Sequence, residues 1–219
     1  MKNITRRNNF SFLFAALVLF LLSSASMHIV HTPSPVLMDL FEVGVFLLGM
    51  RSLDPEQKTK LTVYTLSTII LVLMLFRQFS PWVPGGLLEM AVLFLFLSFA
   101  FKLSWKQIVL AGEVDRNLLI GSVVLYLLLG LMWCTLYLMI LYFDPEAFRG
   151  LTSVAWNENF SAMAYFSFVT LTTLGYGDII PVNEVARVLV YLEAIAGLFY
   201  MAIIVASIVS ARLLSRHEL

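Results

Sequence analysis

Thr172, Thr173, Leu174, Gly175, Tyr176, Gly177 and Asp178 run consecutively, in an order suited to one piece of chemistry, the dehydration of a cation. A ring of inward-facing backbone carbonyls replaces an ion's water shell. Turning successive carbonyls inward requires backbone angles that most residues resist, and Gly175 and Gly177 supply them. Thr173 adds a hydroxyl oxygen at the inner mouth, and Asp178 sets a carboxylate where ions enter. This Thr-x-Gly-Tyr-Gly order follows an aromatic, Thr-rich stretch and precedes a long apolar segment, an arrangement that builds a potassium filter. The expected metal is K+, bound in transit at Thr173, Leu174, Gly175, Tyr176 and Gly177. No organic cofactor and no covalent chemistry are expected. One loop supplies a quarter of a ring, so a homotetramer is implied.

The elements that must position this loop are membrane helices. Hydrophobic residues make up 60% of the chain and charged residues only 13%, against about 45–50% and about 25% in soluble domains. Net charge is zero with no basic block, so nothing points to nucleic acid. The single Cys134 excludes an intrachain disulfide and reads as a small apolar filler. Six apolar spans are expected: Phe10–Val30, Val36–Met50, Leu61–Phe76, Val83–Phe101, Leu118–Phe143 and Val185–Ala211. The second and third reach only about 22–24 Å at a helical rise, so they are expected to extend into their flanks. The first has a basic start and a small-residue stretch like a signal peptide, yet its apolar run continues to Val30 and it is expected to be retained.

Charge gives the orientation. With the N-terminus inside, Lys2, Arg6, Arg7, Arg51, Lys58, Lys60, Lys102, Lys106, Arg116, Arg212 and Arg216 are cytoplasmic, and only Arg77, Arg149 and Arg187 are outside. The positive-inside rule favours that arrangement. It places both termini in the cytoplasm, in a multi-pass protein of the cell membrane, and leaves Asp144–Glu184 entering from outside.

The expected domains are residues 1–102, a four-helix front half; 103–117, an interfacial linker carrying Trp105; 118–214, the pore half; and 215–219, a short tail. The pore half reads as outer helix, turret, re-entrant helix over about Asn159–Leu171, filter and inner helix. Asp144-Pro145 stops the outer helix, and Asn157, Glu158 or Asn159 can cap the re-entrant one. Four negative helix ends aimed at the bilayer centre favour a cation.

The stretch from Tyr165 to Asp178 resembles the signature of the potassium-channel superfamily, and the likeness covers Leu118 to about Leu214. The resemblance implies that Thr173, Leu174, Gly175, Tyr176 and Gly177 line the filter, with Thr170, Thr172, Asp178, Tyr165 and Phe166 supporting it. It also implies that the Tyr176 ring turns away from the ions. Gly197 matches an inner-helix glycine at which many members bend, although a membrane glycine is also often a close-packing contact. Where this chain departs, Leu174 replaces the usual valine, and Tyr165 and Phe166 replace a tryptophan pair. Val169 stands where some relatives carry a buried acid, which leaves Asp178 without that brace.

Glu193 is an acid inside the inner helix, and such residues are costly and point to function. It can hydrogen-bond behind the filter, set the electrostatics of ion entry, titrate as a gate, or partner polar groups near Thr170 or Thr172. The front half lacks a voltage sensor's charges, since Val83–Phe101 contains no Arg or Lys and only Glu89. His28, His31, Asp39, Glu42 and Glu89 form a candidate outer cluster that protons can modulate, or else hydrated interface residues. Only Arg212–Leu219 follow the last span, so no cytoplasmic ligand-binding domain is expected. The sequence thus reads as an all-α integral membrane protein, with six transmembrane helices, one re-entrant pore helix and a selectivity filter. Its expected function is passive K+ conduction not gated by a charged helix, in a lipid bilayer. A non-conducting accessory subunit and a proton-modulated channel are the alternatives.

Overall fold

Long leucine- and phenylalanine-rich runs leave a chain little choice but helix, because only helices satisfy their own backbone polar groups in an apolar setting. The computed structural model describes residues 9–26, 44, 47, 57–79, 85–109, 116–153 and 158–205. These form α1 (Asn9–Ser26), α2 (Gln57–Phe79), α3 (Gly85–Val109), α4 (Arg116–Phe143), β1 (Phe148–Arg149), α5 (Phe160–Leu171), β2 (Ile180–Pro181) and α6 (Glu184–Phe199), which runs into a π-helical stretch at Tyr200–Val205. Among them, Gly86–Ile108, Arg116–Phe143 and Glu184–Ala202 are long and apolar enough to cross a membrane. Shorter apolar helices cover Asn9–Ser24, Leu61–Leu73 and Phe160–Leu171. The expected second span lies almost wholly outside the described residues, as do His28, His31, Asp39 and Glu42.

The chain divides into two compact units, residues 1–127 and 128–219. In the first, α1 buries Phe10, Leu13, Leu17 and Phe20, a stripe at helical spacing. Its start is tied to α4, where the Phe10 amide donates to Asn117 Oδ1 at 3.2 Å. Gly121 makes room for the Phe10 ring, whose atoms would lie 2.9 Å from an added Cβ. Along α3, Val92, Phe96, Ala100, Ser104 and Ile108 recur every fourth residue and are buried, and Glu89 is buried on the same helix. The helix continues unbroken through Lys102 to Val109, with Phe101 and Trp105 stacked at 6.2 Å, so residues 103–109 belong to α3.

In the second unit the short α5 is the most enclosed element, burying Met163, Ala164, Phe166, Ser167, Val169, Thr170 and Leu171. By contrast α6 buries only Ala186, Glu193 and Gly197. Its apolar residues face outward, including Val185, Tyr191, Leu198 and Phe199. At the far end of α4, Asp144 starts a turn in which its Oδ1 accepts the Glu146 amide at 3.2 Å. The chain then pairs β1 with β2 in antiparallel register, Phe148 opposite Pro181 and Arg149 opposite Ile180. That two-residue ladder was not visible in the sequence.

Candidate functional site

The site begins where α5 ends. The amides of Thr172 and Thr173 donate to Phe168 O at 3.0 Å and Thr170 O at 2.8 Å. The Leu174 amide then reaches back to Val169 O at 2.9 Å, with Gly175 N following at 3.4 Å. Beyond this the backbone reverses hand at every second residue: φ is 58° at Thr173, 56° at Gly175 and 78° at Gly177. Glycine accepts such angles without steric cost, whereas a β-branched threonine rarely does. Thr173 is thus a strained position that the glycine spacing alone did not disclose. Among the described residues, no carbonyl from Thr173 to Gly177 accepts a hydrogen bond within the chain. A row of acceptors without internal donors is able to ligate a cation. The Thr172 hydroxyl, by contrast, turns back to Phe168 O at 2.7 Å.

All seven residues from Thr172 to Asp178 are exposed in the single chain, including the large side chains of Leu174 (56%) and Tyr176 (67%). What holds the loop is anchored at its two ends. On the inner side Gly197 lies against the last turn of α5, so close that an added Cβ would stand 2.9 Å from the Leu171 carbonyl carbon. This is a close-packing glycine, one of the two roles that the sequence left open. The helical geometry changes three residues later, at Tyr200.

On the outer side Asp178 Oδ2 accepts the Tyr165 hydroxyl at 2.7 Å. No acid stands at Val169 to brace Asp178, and a tyrosine hydroxyl from α5 holds it instead. That hydroxyl beside Asp178 holds its carboxyl below the usual carboxylate range. Gly150, at φ 93°, backs onto the same segment, with Ile179 Cα only 3.2 Å from where its Cβ would be. Ala147 O accepts the Val182 amide at 2.8 Å. Asn183 caps α6 by accepting from Val185 N at 2.7 Å and donates its Nδ2 to Asp144 Oδ2 at 2.7 Å. Asn159 occupies the capping position of α5 but uses its side chain otherwise, donating to Ser153 O at 2.9 Å.

Behind α5 lies the second part of the site. Glu193 is fully buried within one chain. Its Oε2 accepts the Tyr137 hydroxyl from α4, and its Oε1 lies 2.5 Å from Ser167 Oγ on α5. Ser167 Oγ is also 2.7 Å from the Gly130 carbonyl oxygen on α4. Glu193 therefore joins three helices, and its partners are Ser167 and Tyr137 rather than Thr170 or Thr172. Phe166, expected to support the filter, is packed edge-to-face with Tyr137 at 5.2 Å and Phe148 at 5.4 Å, a lid of rings over this cluster. Tyr137, Ser167 and Phe148 were missed in the sequence. A buried acid needs donors, but α4 and α5 carry several other hydroxyls, among them Thr135, Tyr142, Ser161 and Thr170, so the sequence did not single out Tyr137 and Ser167.

Residues 123–212 match the protein-family model described as Ion channel. The chain is 27% identical over 171 residues to the voltage-gated potassium channel Kch of Escherichia coli (strain K12), covering 77% of this chain and 37% of that protein. It is 41% identical over 54 residues to the inward rectifier potassium channel Kirbac3.1 of Paramagnetospirillum magnetotacticum, covering 25% of this chain and 18% of that one. The chain thus spans well under half the length of either relative. No solved structure matches. Three of the described helices are long and apolar enough to cross a membrane, residues 123–212 match an ion-channel model, and the matches point to a channel and not to an enzyme.

Proposed function

We propose that this chain is a subunit of a potassium-selective channel, in which four copies bring Thr173, Leu174, Gly175, Tyr176 and Gly177 together around a central ion path. The observation that carries this reading is the left-handed backbone at Thr173, Gly175 and Gly177, with carbonyls that have no donors among the described residues. Ion filters use such carbonyls in place of water. The exposure of Leu174 and Tyr176 and the outward apolar residues of α6 support burial by further copies and by lipid. The potassium-channel names of both relatives agree with the choice of ion.

The chain crosses the cell membrane six times on this reading, with both termini cytoplasmic, following the distribution of Lys and Arg. Voltage gating, part of one relative's name, is not carried over. Val83–Phe101 holds no basic residue and only one acid, Glu89, whereas steep voltage dependence needs several charges moving through the field. The test is K+ flux from liposomes containing the pure protein, under K+ and then Na+ gradients, with Gly175→Asp as control. K+ flux without Na+ flux, abolished by the substitution, is the expected result. Equal flux of both ions, or none from protein shown to be tetrameric, overturns the reading.

A further inference from the structure

Three oxygen–oxygen contacts run in a row behind α5. They link Tyr137 Oη to Glu193 Oε2, Glu193 Oε1 to Ser167 Oγ at 2.5 Å, and Ser167 Oγ to the Gly130 carbonyl at 2.7 Å. At these separations each contact must hold a hydrogen, since otherwise two lone pairs face each other. The tyrosine and serine hydroxyls carry one hydrogen each, while a carbonyl and an ionised carboxylate carry none. Two hydrogens cannot fill three contacts.

If Glu193 were ionised, Ser167 would have to choose. Donating to Oε1 leaves its oxygen against the Gly130 carbonyl, and donating to Gly130 leaves it against a full negative charge. A hydrogen on Oε1 removes the conflict: Tyr137 donates to Oε2, Oε1–H donates to Ser167, and Ser167 donates to Gly130.

The surroundings agree. No cation partners Glu193 among the described residues. The titratable groups facing it are Tyr137 and Cys134, both from α4, and α5 brings only the Ser167 hydroxyl. Glu193 is fully buried before any assembly, so further copies cannot return it to water. An uncompensated charge in such a place is expensive.

We infer that Glu193 is a neutral carboxylic acid whose proton completes a hydrogen-bond chain from Tyr137 to Gly130 and so fixes α5 between α4 and α6. It is a positioning residue: it touches no ion, but Ser167 lies one turn before Leu171, where the filter loop leaves the helix. Loss of the proton would force apart either Ser167 and Gly130 or Ser167 and Glu193. Only the functional half of this inference rests on the conduction reading.

The test has two arms on the full chain in lipid. Infrared spectra at neutral pH should contain the C=O stretch of a protonated carboxyl that is missing in E193Q. Its absence from the wild type overturns the inference. In flux assays E193Q should conduct, because an amide can donate to Ser167 and accept from Tyr137. E193A, which leaves the Tyr137 hydroxyl without its acceptor and Ser167 without the donor that ties it to α6, should lose about tenfold. E193Q falling to the level of E193A would mean that the charge itself is needed, which overturns the inference. As pH is raised, wild-type flux should fall in step with the carboxyl band while E193Q stays level. Wild-type flux unchanged after the band has gone overturns the positioning role. A carboxyl band in protein that never conducts would leave the proton in place and sink the channel reading instead.

Discussion

The two sides of α5 solve opposite problems. Behind the helix, Tyr137, Ser167, Glu193 and Phe166 are buried and mutually satisfied within a single chain. Beyond its C-terminus, Thr172–Asp178 are exposed, and the carbonyls of Thr173–Gly177 have no donors among the described residues. The back is finished by folding, whereas the front is finished only by what is added to it. A membrane protein can thus hold a loop in an unfavourable backbone conformation, provided that the packing beside it over-determines the geometry. Changes at the back should therefore read out first as stability, and changes at the front as function on an intact fold.

Gly175→Asp should break this comparison most visibly if it is wrong. Flux is expected to vanish while helix content and thermal midpoint stay near wild type, and a large loss of stability would mean that the loop also holds the fold. Gly197→Ala comes next. Its Cβ meets the α5 backbone, which cannot move aside like a flexible side chain, so a loss of about 1–3 kcal/mol is expected in detergent or lipid unfolding. A stable Gly197→Ala protein with altered opening would instead favour the bending role.

Tyr165→Phe sharpens the front side and has the smallest expected effect. The Tyr165 hydroxyl lowers the Asp178 pKa below its ordinary 3.8, so the interaction is fully present above that value and is lost as pH falls through the lowered one. Removing the hydroxyl should return Asp178 toward 3.8. The acid-side change in flux should then begin at higher pH than in wild type, with neutral-pH stability nearly unchanged. Identical acid profiles would mean that the pair at 2.7 Å does not hold in the assembled protein.

How much of this was legible in the sequence follows the same division. The α5 helix and the left-handed turns at Gly175 and Gly177 were readable because their information is local: two glycines at fixed spacing and an apolar run just before. The reversed backbone at Thr173 was not, since a threonine adopts it only when neighbours on both sides dictate it. The Tyr137–Glu193–Ser167 cluster draws on three helices far apart in sequence, and periodicity describes one helix at a time. The acid was conspicuous, and its partners were ordinary hydroxyls. The β1–β2 pair is too short to leave any pattern of alternation.

That small pairing bears on how the chain can vary. Leu171 is pinned against Gly197, and Ile180 is pinned opposite Arg149, so the residues between bridge two fixed piers. Such a bridge tolerates exchange of outward side chains far better than a change of length. One residue inserted between Thr172 and Ile179 has nowhere to be absorbed. It would put the alternation of backbone hand out of step downstream and turn every following carbonyl from the side it now faces.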